Sequence, residues 1–194
     1  NKPFLKAKLP ENSRLNGPSS ICSFPSSNFL GLAASNCKGQ VFTFDSLVQK
    51  VIVVINVALP KSASQNMAPQ NITNFKELAM LHNEYHEYGL EILAFPCDQF
   101  ISQSSSTRQS RDNHIWCEKM GLEFQVMQKV DVNGVEEHPL YSLLKHGGHD
   151  IRGNFQTSFL VACGDECCKV YRFDGLPPRA LRSRIENLLS ELVV

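Results

Sequence analysis

An excess of charge of either sign is missing from this sequence: 19 Lys and Arg offset 19 Asp and Glu over 194 residues. The pI is about 7.1. That balance gives no electrostatic footprint for nucleic acid or anionic lipid, so neither is expected as a partner. Long hydrophobic runs are missing too. The longest, residues 51–59 (VIVVINVAL), has strand length. It falls far short of the roughly 20 apolar residues that span a bilayer, so no membrane-spanning segment is expected. Regular cysteine spacing is also absent. The seven cysteines (Cys22, Cys37, Cys97, Cys117, Cys163, Cys167 and Cys168) are odd in number and unevenly placed. That argues against a secreted disulfide framework and predicts mostly reduced thiols. No cysteine lies between Cys37 and Cys97.

What is present is a globular composition, 42% hydrophobic and 20% charged. Residues 1–28 are rich in Pro, Ser, Asn and Lys without periodicity, and are expected to form an extended N-terminal arm. Residues 29–194 are expected to form one domain. FLGLAAS and QVFTF around NCKG predict a β-hairpin. KVIVVINVA is apolar on both faces, as a central strand covered by helices must be. A long polar loop, 59–73, follows, then a helix over NFKELAMLHNEYHEY stopped by Gly89. LEILAFP predicts a second buried strand, and the helical crossover makes the two parallel. A polar loop, a short helix at NHIWCEKM and a strand at EFQVMQKVDV lead to a helix at HPLYSLLK. A hairpin with its turn at 163–168 and a helix started by Pro177 and Pro178 close the chain. The expected fold class is α/β: a thioredoxin-like fold with a mixed central sheet flanked by helices and an N-terminal β-hairpin.

Several stretches together resemble the glutathione peroxidase family. They are NVA after the β-branched strand, GLEILAFPCDQF, KVDVNGVEEHPLYSLLK and GNFQTSFLV, and the likeness covers about residues 29–192. LAFPCDQF is similar to the family's LAFPCNQF, with Asp98 in place of Asn. KVDVNG and the short segment after LLK look most similar to the monomeric, plant-type branch, whose members thioredoxin reduces. The resemblance implies a peroxidatic Cys or selenocysteine assisted by Gln, Asn and Trp, with the thiolate as nucleophile.

Carried onto this chain, that site is depleted. Counting forward from NVA places Lys61 at the cysteine position, and counting back from the helix places Ala68 there. The Gln corresponds to Gln103 and the Asn to Asn154, whereas Gly153 takes the place of the Trp. Cys117 has the spacing of the plant-type resolving cysteine, and Cys97 matches the non-catalytic Cys of FPCNQ. The expected function is therefore a catalytically inactive, structural or accessory subunit of a larger assembly, without a cofactor. Its partners would be other protein subunits, met through arm 1–28, loop 59–73 and hairpin 163–168. The alternative is a residual thiol peroxidase or redox sensor using Cys97 or Cys117. Ser62 and Ser64 carry no oxidisable atom and do not replace the thiol.

Two metal patterns stand beside this. Cys163, Cys167 and Cys168 crowd one hairpin but lack a second paired motif, so they are weak candidates even with His146 and His149 of HGGH. His82 and His86 have i, i+4 spacing. Without an acid or thiol matched to them in sequence, they are expected as helix-surface residues, His82 partly lining the core side. The initial Asn and the plant-type character suggest import and cleavage, hence chloroplast or mitochondrion, with the cytoplasm as alternative.

Overall fold

The computed structural model describes residues 22–60, 67–100, 117 and 120–192. Most of arm 1–28, part of loop 59–73, Lys61, Gln103 and most of the expected helix NHIWCEKM lie outside the described residues. The strands are β1 (Phe24–Pro25), β2 (Ala33–Ser35), β3 (Val41–Thr43), β4 (Lys50–Val57), β5 (Leu90–Pro96), β6 (Gln125–Val126), β7 (Thr157–Cys163) and β8 (Cys167–Asp174). Six of them form one mixed sheet in the order β1-β8-β7-β4-β5-β6. β2 and β3 form the separate antiparallel hairpin expected before the central strand. The helices used below are α1 (Ser26–Leu30), α2 (Pro69–Tyr85), α3 (Pro139–Lys145) and α4 (Arg182–Leu192). β4 pairs parallel to β5 and antiparallel to β7, as the crossover and the closing hairpin require.

The two-residue alternation of β4 builds two cores. Val51, Val53, Ile55 and Val57 face one side, where Phe75, Leu78 and Leu81 of α2 pack with Ile185 and Leu188 of α4. Ile52 and Val54 face the other side, with Leu93, Phe95, Phe159 and Val161 of neighbouring strands and Phe29, Phe44 and Tyr141 packed on them. A strand buried on both faces has no position for a solvated side chain, so its sequence is a continuous apolar run. A mixed sheet with helices on both faces is the thioredoxin-like arrangement. No helix among the described residues is long and apolar enough to cross a membrane.

Three details differ from expectation. α2 begins at Pro69, inside the expected loop, because proline fits the first helical position, where its missing N–H costs nothing. Gln70 Nε2 donates to Asn74 Oδ1 at 3.2 Å and reinforces that first turn. The end of the expected arm joins the sheet, Phe24 pairing with Cys168 and Pro25 with Cys167. Four of the cysteines are not reduced: Cys22 is bonded to Cys167, and Cys163 to Cys168. The register of β7 and β8 sets Cys163 opposite Cys168 with Cα atoms 4.1 Å apart, and the β1 pairing brings Cys22 beside Cys167. Bonded sulfurs are not thiolate ligands, so Cys163, Cys167 and Cys168 do not form a metal site here.

Candidate functional site

The resemblance directs attention to the C-terminal ends of β4 and β5. Ala68 stands at the N-cap of α2 and brings no reactive group there. Asn154 stands beside the strand ends, but its polar atoms are occupied. Its Nδ2 donates to the Cys97 carbonyl at 2.9 Å, and its Oδ1 accepts from Asn56 Nδ2 at 2.9 Å. Asn56 also donates to the Gly153 carbonyl at 3.2 Å. Asn154 thus ties the turn 153–155 to two strand ends. Phe155 holds that turn at φ +60°, with its ring edge-on to Phe75 at 5.3 Å. Replacing Asn154 by Ala should cost about 1–3 kcal/mol, because the Cys97 carbonyl and the Asn56 amide lose their partner. A urea unfolding midpoint measures the loss, and the thiol reactions described below should be unchanged.

Cys97 is only 1% exposed and lies in the core with Phe95, Tyr141 and Phe159. Burial pushes its thiol up, away from the reactive thiolate. Iodoacetamide applied to the folded protein at neutral pH should leave Cys97 unmodified while labelling Cys37, as peptide mapping would show.

Cys117 belongs to the opposite core, with Phe75, Leu81 and Phe124. It is buried, and its partner is Cys37. The β2–β3 turn places Cys37 there. Asn36 Oδ1 accepts from the backbone N–H groups of Lys38 and Gln40, both at 3.0 Å. Gly39 completes the turn at φ +78°, a conformation glycine adopts without strain. The turn docks along β6: Cys37 N–H donates to the Val126 carbonyl and Gln128 N–H to the Ser35 carbonyl, each at 2.8 Å. Cys37 thus packs against the cluster that holds Cys117, and both thiols line one cleft. Burial, followed by the neighbouring Cys37, pushes the Cys117 thiol well up against a smaller opposing pull from Lys38. Cys37 is half-buried and lines an open cleft of about 440 Å³ with Lys38, Cys117 and Glu123. One accessible thiol neighbouring one buried thiol is an arrangement that can store two electrons by opening and closing a disulfide.

The family model described as Glutathione peroxidase matches residues 29–145. This chain belongs to the glutathione peroxidase family. It is 37% identical over 175 residues to the glutathione peroxidase-like peroxiredoxin HYR1 of Saccharomyces cerevisiae, covering 86% of this chain and 99% of that one. It is 34% identical over 164 residues to probable glutathione peroxidase 8 of Arabidopsis thaliana, covering 82% and 92%. Among solved structures, T. cruzi GPX1 superposes with a TM-score of 0.58 at 24% identity, covering 82% of this chain and 95% of that one. A thioredoxin-family thiol:disulfide interchange protein from Chlorobium tepidum TLS superposes with a TM-score of 0.55 at 15% identity, covering 81% and 92%. Those two likenesses bear on the fold alone.

The relatives overturn the expectation of an inactive structural subunit. Proteins similar along most of this glutathione peroxidase-family chain carry the names of peroxidases and peroxiredoxins. The thiol chemistry held as the alternative fits them better. Of the two thiols expected to carry it, Cys97 is sealed in one core and Cys117 is paired with Cys37 at the edge of the other. Sequence reading missed Cys37 as that partner. It lies in a hairpin turn far along the chain from Cys117, and no local motif links the two.

Proposed function

We infer that this protein is a thiol peroxidase whose working pair is Cys37 and Cys117. The observation that carries the reading is that these two thiols line the same open cleft, Cys37 packed against the cluster that holds Cys117. Lys61 and Ala68, the positions that correspond to the family's cysteine, carry no sulfur, so the reaction falls to another pair. Cys37, the more accessible thiol, attacks as its thiolate the terminal oxygen of a hydroperoxide. The O–O bond breaks, the leaving oxygen takes up a proton to depart as alcohol or water, and Cys37 becomes a sulfenic acid. The Cys117 sulfur then displaces hydroxide from that sulfenic sulfur. The S–S bond forms, and the Cys117 proton leaves with the hydroxide as water. An external dithiol protein of the thioredoxin class returns two electrons by exchange and is itself oxidised. The Lys38 ammonium beside the pair favours the anionic intermediates.

Turnover is the test. Purified protein mixed with hydrogen peroxide and a thioredoxin–thioredoxin reductase–NADPH system should consume NADPH faster than the same mixture without it. Consumption at the no-protein rate, with Cys37 and Cys117 still reduced afterwards, would remove the reading.

A further inference from the structure

The apolar strand β5 contains one acid, Glu91, and the fold sets it beside His82 in the last turn of α2 and His86, the residue that caps it. We propose that His82, His86 and Glu91 form a binding site for a borderline divalent cation of the zinc class. One donor atom from each residue lies within 4.8 Å of the other two. The histidines are one helical turn apart, and their rings stack with centroids 4.5 Å apart. His86 Nδ1 stands 3.7 Å from Glu91 Oε1. Two donors on one tetrahedral zinc ion stand roughly 3.4 Å apart, so small side-chain rotations close the set.

His86 lies at the surface as expected, and His82, expected partly on the core side, is fully buried. His82 is only 3% exposed, and its Nδ1 is buried without a hydrogen-bond partner. A buried polar atom left unpaired is costly, and a bound cation would satisfy this cluster. Glu91 is held in place by Lys50 Nζ at 2.6 Å, as a ligating carboxylate is by its outer partners. The His86 side chain is about half exposed and leaves an entry path and a position for water. Two imidazoles and one carboxylate suit zinc, cobalt or nickel over magnesium or calcium. The site lies outside the Cys37–Cys117 pair and does not depend on it.

The experiment is a titration of the full chain with Co(II) and with Zn(II), followed by visible absorption and calorimetry. The expected result is one bound ion, with cobalt d–d bands and no thiolate charge-transfer band. The variant His86→Ala, changed at an exposed position, should weaken binding on the order of 10- to 100-fold or more. The double variant Cys37→Ser/Cys117→Ser should bind as the wild type does. Absence of saturable binding would overturn the proposal. So would binding that survives His86→Ala unchanged, or binding that disappears in the double cysteine variant.

Discussion

Replacing Cys37 by serine should abolish peroxide-driven NADPH consumption, bringing it to the no-protein rate, whereas Cys117→Ser should leave one rapid oxidation and no cycling. The asymmetry follows from burial. Both thiols line the cleft, but Cys37 is the accessible one beside Lys38, and Cys117 is buried among core residues. A serine hydroxyl at 37 supplies neither an oxidisable atom nor a nucleophile for peroxide. In Cys117→Ser, Cys37 still reacts, but nothing condenses with its sulfenic acid, which should accumulate and be trapped by dimedone. Both variants should fold, since each change removes one sulfur from a hairpin turn or from the core margin. Equal loss of the first oxidation in the two variants would contradict the assignment of roles.

Phe159→Ala is expected to destabilise the protein by about 3–5 kcal/mol, the scale for deleting a fully buried aromatic ring. Phe159 is 0% exposed in β7. Its ring meets Tyr141 edge-on at 6.4 Å, and the Arg172 guanidinium lies 5.7 Å from its centre. At this chain length the melting temperature should fall by about 10 °C. Val135→Ala, at a residue 99% exposed, should change stability by no more than about 0.5 kcal/mol. Differential scanning calorimetry on the two variants measures both. A Phe159 variant as stable as the Val135 variant would mean that the second core is not packed as described.

Residue pattern revealed the sheet because its central strands are buried on both faces. VIVVI cannot be solvated on either side, and a helix between two such strands leaves few topologies. The hairpin of β2 and β3 was equally legible from its turn chemistry. Less legible was everything that depends on contacts between distant residues. Cys37 and Cys117 meet only because the β2–β3 turn docks along β6. Cys22 finds Cys167 only because two residues of the arm add a strand to β8. Glu91 was the one local hint of the histidine cluster, an acid in an otherwise apolar strand. Asn154 has a structural part that its motif did not announce: its hydrogen bonds hold Asn56 and the Cys97 carbonyl together.

Non-reducing peptide mapping by mass spectrometry, after one equivalent of hydrogen peroxide, tests the dithiol most directly. The expected product is a cross-linked peptide pair joining Cys37 to Cys117, formed in near-stoichiometric yield and removed by a thioredoxin system. Recovery of both cysteines as free thiols, or oxidation confined to Cys97, would contradict it.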